Sequence, residues 1–498
     1  MSHLPPDVKP DKLFAGSCVS LIATAMTFAV LSSITNPLKE VFLLTNQQVG
    51  QITGAGLWGF PLSILIFGSL CSTLGMRFLL RLCYVFFIAG VCMMIFAKGF
   101  WMLFFGALTI AFANGLVEGA CNPLVASLYP DRKVQKLNQF HVWFPGGIVI
   151  GGLACFLMGK YGFGNWQVQL AMILVPAAIS AGIMMFEKFP PTERHSSGVS
   201  FGEMLTATFS RPLFWLMFVC MMLTASTELG PNRWMPAIME NAGLGTPGSG
   251  MLLLVWTSLL MALMRQFSGH AVDRLSPTGM LLSSAILSCM GLVWLSKADG
   301  MVPIFLADTV FAVGVCYFWP TMLGVVSERI PKGGEFALAL MGVAGNIAVG
   351  AITIPMMGDI ADVKGHSKFD VAQTTAIVQQ INDQLPGLKK QGTLARDIEL
   401  NGMIDKTVVL AQEVLAGAKS GSLPPKSTAN VLRGVQQCAP DSEAAKAAKG
   451  ILGPAELFGG RWSFFVVSGL AAVLTLVFGL LYASDRMKGG YKAEAIQD

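Results

Sequence analysis

The sequence predicts an all-α membrane protein: twelve transmembrane helices in two pseudo-symmetric six-helix bundles, with an extracytoplasmic insertion between helices eleven and twelve. Three observations carry this. Of 498 residues, 53% are apolar and 13% charged, against about 25% charge in a typical soluble chain. Apolar runs long enough to cross a bilayer, ~20 residues at 1.5 Å rise, recur along the chain. Landmarks also repeat at a separation of 201 residues: the loop Gly68 to Arg77 precedes Gly269-His270-Ala271-Val272-Asp273-Arg274, and Pro130 precedes Pro331. Repeated six-span bundles place a binding site at the bundle interface near the bilayer midplane.

The first six spans lie near 13–35, 47–72, 78–98, 101–129, 138–160 and 166–187, within an N-terminal bundle of residues 1–187. A polar, charged linker, 188–210, carries Pro190-Pro191 and joins the halves. The second six lie near 211–234, 248–270, 277–297, 301–327, 337–358 and 462–484, so the C-terminal bundle takes 211–358 and 461–484. Residues 485–498 form a tail. The polar, Pro-rich stretch before residue 13 does not resemble a cleavable signal, so the first span is expected to stay in the mature chain.

Orientation follows from Lys and Arg in short loops. With both termini cytoplasmic, about 17 of them collect inside, among them Arg77, Arg81, Arg132, Lys133, Arg274 and Arg329, and about 5 outside. The expected location is the cytoplasmic (inner) membrane, with the lipid bilayer as constant partner, and the expected state is a monomer. The net charge of +5 reflects topology and does not point to nucleic acid.

The insertion 359–460 carries 11 basic and 11 acidic residues. Val371–Leu385 and Ala395–Ala418 read as amphipathic helices, broken after by Ser420-Gly421-Ser422-Leu423-Pro424-Pro425. Two readings stay open: a solvated insertion, and a cap over the outer vestibule.

Metal, cofactor and enzyme chemistry find no motif. Nine of the ten cysteines fall in spans, no C-x-x-C occurs, and the five histidines lack ligand spacing. No H-E-x-x-H, G-x-S-x-G or G-x-x-x-x-G-K-[ST] is present.

The informative residues are polar groups inside spans. Glu118 stands two-thirds along the fourth span, where a charged carboxylate costs roughly 2.5–3.5 kcal/mol on insertion scales. It is a candidate proton carrier, or else a fixed ion pair or a neutral, hydrogen-bonded acid. Asn122, one turn on, shares its face, and Pro123 frees a carbonyl one turn back. His141, in the first turn of span five, is a candidate relay partner or a packing histidine. Glu228 precedes Gly230-Pro231, which are expected to interrupt span seven beside Asn232. Glu228 and Arg233 then read as a paired outer gate or a fixed pair at the membrane edge. Asp308 is expected near water at the outer end of span ten. Asn346, mid-span eleven, is a substrate ligand or inter-helix glue. Trp143, like Trp58, Trp256 and Trp319, offers a ring on which a sugar can stack, though most span aromatics only pack.

These features resemble the major facilitator superfamily over nearly all the chain except 359–460. The family's loop motif, Gly-x-x-x-Asp-Arg, is kept at Gly269, Asp273 and Arg274, which the resemblance implies act in gating. In the first half Ser72 replaces the Asp, while Gly68, Gly75 and Arg77 remain.

A narrower resemblance is to the fucose/sugar:proton symporter branch. Glu118, Asn122 and Pro123 meet its fourth-span pattern, Asn138 and His141 its fifth-span pattern, and Glu228 with Trp234 its seventh-span pattern. Pro355, Gly358, Ala361 and Asp362 are similar to its eleventh-span ending. This implies a proton site at Glu118, aided by His141. Asn122, Trp143, Glu228, Asn232 and Asn346 are then the candidate substrate contacts. The branch's first-span acid is replaced by Lys39, with Glu40 one residue late. The expectation is a secondary active transporter for a small polar solute such as a sugar or polyol, coupled to protons. The rivals are a proton-coupled exporter of drugs or organic acids, and a transporter-like sensor that uses 359–460.

Overall fold

The computed structural model describes residues 5–42, 44, 46–162, 165–192, 197–241, 249–389 and 395–495. The side chains of Asn36 and Glu40, on which a replacement for the first-span acid would turn, lie outside the described set. Among the described residues the chain is helical and holds no strand. In hydrocarbon each backbone N–H and C=O must be satisfied within its own helix, which favours this solution.

Among the described residues, eleven helices are long and apolar enough to cross a membrane, and a further apolar helix, Leu253–Gln266, is shorter. Together they fit a twelve-span fold. Span one is Pro10–Val41, and span two is Asn46–Ser63 continued by the π-helical Ile64–Gly68. Spans three and four are Met76–Ile95 and Phe100–Leu128, and span six is Trp166–Met184. Span seven is Pro212–Asn241, span eight Ser249–Gln266, span nine the later part of Ser268–Leu295, and span twelve part of Glu443–Met487.

Spans five, six, ten and eleven are interrupted, span six by a turn at Met172 and Ile173. Span five runs Lys133–Phe140, turns at His141 and Val142, and resumes as Trp143–Lys160. Span ten runs Met301–Val315, turns at Cys316 and Tyr317, and resumes as Phe318–Arg329. The cause is shared. Pro145 and Pro320 stand four residues after His141 and Cys316, where a helix would need an N–H donor and proline has none. Span eleven passes from Gly334–Ile347 through a π-helical stretch, Ala348–Thr353, into Ile354–His366.

Span seven corrects an expectation. Gly230-Pro231 does not interrupt it; the helix runs on from Pro212 to Asn241. Proline removes a single internal bond there, and tertiary packing holds the rest. Gly230 lets span seven lie against span eleven so closely that an added Cβ would stand 2.7 Å from Thr353 and 3.1 Å from Met357.

The insertion folds around its own core. Helices Val371–Gln384, Ala395–Lys419 and Pro425–Cys438 bury Val378, Ile381, Ile404, Val414, Val431 and Leu432 against the first turns of Glu443–Met487. The last of the three was not expected, and the final helix begins well before 462. Arg433 fastens the unit to its base, donating to Asp362 at 2.6 Å and Glu456 at 2.7 Å.

The two bundles meet closely at one end. Lys133 donates to the Ser327 carbonyl at 3.3 Å, the Val134 amide to Glu328 at 3.4 Å, and Asn138 to Thr321 at 3.1 Å. Ser268 donates to the Gln135 carbonyl at 3.4 Å. Both glycines of the repeated loop motif serve this contact. A Cβ on Gly68 would stand 3.1 Å from Ala339 of the other half, and one on Gly269 would stand 2.5 Å from Gln135. The C-terminal tail packs on the same end. Tyr491 donates to Glu328 at 2.7 Å, Arg329 lies over the Tyr491 ring, and Arg211 pairs with Glu494 at 2.8 Å.

Candidate functional site

Glu118 is 5% exposed, on the face of span four that meets the second half. It lines a narrow crevice with about 10 Å³ of room for water, walled by both bundles. Asn122 and Pro123 come from span four and Ile64 from span two; Trp319, Leu323, Glu335 and Gly342 come from spans ten and eleven. Span four can carry polar groups here because the surrounding helix is apolar on every side and remains anchored without them.

Asn122 links the acid to the histidine. Its Nδ2 donates to Glu118 Oε2 at 2.5 Å, and its Oδ1 lies 3.1 Å from His141 Nε2. That amide orientation fits the imidazole with the proton on Nε2. His141 Nε2 also stands 4.0 Å from the same Glu118 oxygen. The break in span five brings the ring here, since His141 closes one helical segment before Trp143 opens the next.

Glu228 is buried, but its partner is not Arg233. The expected Glu228–Arg233 gate does not form. Five residues of continuous helix separate the two, and Arg233 is exposed. Arg265 pairs with Glu228 instead, Nη2 to Oε1 at 3.1 Å, with both side chains inaccessible. The second carboxylate oxygen, Oε2, has no hydrogen-bond partner among the described residues.

Arg265 is the functional residue that sequence reasoning missed. It comes from the end of span eight and uses three donors on three elements. Nε donates to the Cys316 carbonyl at 2.6 Å, Nη1 to the His141 carbonyl at 3.1 Å, and Nη2 to Glu228. The signal was available: a lone arginine in an otherwise apolar run, together with two prolines that each free a carbonyl.

The remaining candidates scatter. Trp143 is 38% exposed at the start of the second segment of span five. Asn232 is half-buried on span seven. Asn346 donates to the Gly342 carbonyl of its own helix at 2.9 Å, just before the π-helical stretch. Asp273 and Arg274 are exposed beside the kink at Ser276, and no ion pair involves Asp273 among the described residues. Asp308, expected to face water, is buried and accepts from Thr257 at 2.9 and 3.1 Å. The short span eight brings that hydroxyl across to it.

Comparison with known proteins agrees with this architecture. The profile of the Major Facilitator Superfamily matches residues 13–353. The facilitated glucose transporter member 10 of solute carrier family 2 from Xenopus tropicalis is 26% identical over 181 residues, 35% of this chain and 32% of that protein. The match therefore spans about a third of that relative's length. Among solved structures, the E. coli fucose:proton symporter superposes with a TM-score of 0.59 at 18% identity, covering 71% of this chain and 92% of that one. A human organic anion transporter superposes with a TM-score of 0.60 at 12% identity, covering 95% and 100%. At such identities the structural likeness is one of fold.

Proposed function

This chain belongs to the Major Facilitator Superfamily and is a transporter, and from that premise we propose that it carries a sugar or polyol by alternating access, in symport with a proton held on Glu118. The observation that carries the reading is one buried acid, Glu118, lining a crevice between the two bundles and joined through Asn122 to His141. An uncharged, hydroxyl-rich solute suits such a lining. Carboxylates and amides accept and donate to hydroxyls, and the Trp319 ring offers a face for stacking. The names of the glucose-transporter and fucose:proton symporter relatives point to the same substrate class.

The setting proposed is the cytoplasmic membrane, with both termini inside. The tightly closed end then faces the cytoplasm, and the described state is closed inside. The insertion 359–460 then stands outside, on the extensions of spans eleven and twelve. A proton on Glu118 removes a charge that costs several kcal/mol to carry through an apolar interior. Binding and reorientation then become favourable together.

Purified protein in proteoliposomes tests this. Glu118→Gln is expected to abolish uptake driven by a proton gradient while sugar counterflow continues. Gradient-driven uptake with unaltered pH dependence in that variant would end the assignment.

A further inference from the structure

Arg265 satisfies two carbonyls that proline has orphaned, one in each half of the molecule. The His141 carbonyl lacks a helical donor because Pro145 stands four residues on, and Cys316 lacks one because of Pro320. Arg265 donates to both and to Glu228, while 3% exposed. Cys316, Glu228 and Arg265 itself lie in the second half. His141 lies in the first. The Nη1 to His141 bond is therefore a buried cross-half contact, three residues along span five from the Asn138–Thr321 bond at the closed end.

His141 is thus held from two sides. Its ring meets Asn122 and Glu118 of its own half, and its backbone meets the arginine of the other half. Alternating access slides the halves against one another, and a hydrogen bond fixed to one backbone atom must break or change partner in that motion. A change at Glu118 that reorients Asn122 and the His141 ring acts on the same broken turn that Arg265 grips.

We propose that Arg265 is a positioning residue that couples the occupancy of the Glu118 site to the contact between the two halves, with His141 as the joint. The proposal rests on the reading of Glu118 as the responsive site. Arg265 is not assigned a contact with substrate. Its fork geometry is essential to the role, since three acceptors on three helices are met by one planar group.

Hydrogen–deuterium exchange on the purified full chain tests this without knowledge of the solute. Glu118→Gln in the wild-type background is expected to change exchange in 316–330 of the other half. The charge-neutral pair Arg265→Met/Glu228→Met removes the fork without stranding a buried charge. Its thermal midpoint should fall only by what the two carbonyls left without a donor cost, while residues 133–145 exchange about tenfold faster or more. In that background Glu118→Gln should leave 316–330 unmoved. If the double variant loses more stability than that, Arg265→Lys serves instead. It keeps the charge beside Glu228 but cannot span all three acceptors, and the same two exchange results are expected. Wild-type exchange at 133–145 in either variant, or a surviving response of 316–330 to Glu118→Gln, would reduce Arg265 to a counter-ion and overturn the proposal. Failure of the proton reading is distinguishable. It appears as unchanged pH dependence of transport in Glu118→Gln and leaves the exchange comparisons intact.

Discussion

Asn122 donates a 2.5 Å hydrogen bond to Glu118 and turns its carbonyl oxygen toward His141. The amide is therefore a bridge with two distinct ends, and only a group with both a donor and an acceptor can fill the position. Asn122→Leu, which is close in size and has neither, should reduce gradient-driven uptake about tenfold or more, the scale expected from one hydrogen bond to an ionisable group. The measurement is initial uptake in proteoliposomes under an imposed pH gradient. Uptake within twofold of the wild type would remove Asn122 from the pathway.

Asp308 depends on one hydroxyl. Thr257 donates to both of its oxygens in a site that is 1% exposed. Thr257→Val keeps the shape and deletes the donor, at an expected cost of about 1–3 kcal/mol. Asp308→Asn in the same background should recover part of the loss, because the amide carries no charge to desolvate. Thermal unfolding in detergent reads both. Equal midpoints for Thr257→Val and the wild type would show that the pair contributes nothing.

Gly324 sets how near the two halves come at their closed end. A Cβ there would stand 2.5 Å from Val134 Cγ2 and 2.9 Å from the Val134 Cα, across the bundle boundary. Gly324→Val cannot be accommodated without moving the halves apart, since the obstruction includes backbone. The variant should shift the population toward the opposite state. Residues 133–138 and 321–330 should exchange deuterium faster while counterflow slows. Unchanged exchange in both segments would show that the contact is not part of the closed state.

The tail contact carries a pH dependence. Tyr491 is held by its bond to Glu328, and burial, with the Glu328 charge beside it, pushes its phenol well above the ordinary value of 10.0. Because the folded value is raised, docking is at full strength below pH ~10 and weakens as pH rises from there toward the raised value. The absorbance titration of the wild type minus that of Tyr491→Phe isolates this phenol. Its midpoint should lie clearly above 10, and an ordinary midpoint would show that the tail is undocked in solution. Tyr491→Phe should also speed tryptic cleavage after Lys492.

Much of the fold was legible. Apolar runs and their lengths mark the spans because a bilayer accepts little else. Glu118 and Asn122 stand out for the same reason, and their spacing of four residues is enough to place them on one helical face. The third helix of the insertion, Pro425–Cys438, was less visible because its apolar residues are few and its strength lies in their periodicity. Gly230-Pro231 misled in the other direction. The local signal for a break is real, but close packing against Thr353 and Met357 overrides it.

What the sequence determined by itself is the class, the repeat and the unusual acid. Each is a property of a residue in its own helix and in lipid. What only the tertiary structure decided is who meets whom. Glu228 chose Arg265 over the nearer Arg233, Asp308 turned inward to Thr257, and His141 came to Asn122 across a broken turn. The reason is physical. A buried charge or orphaned carbonyl takes the partner that the packed helices bring within about 3 Å. In a bundle of many helices, that partner is set by which spans are neighbours and at what depth, which no local pattern along the chain records.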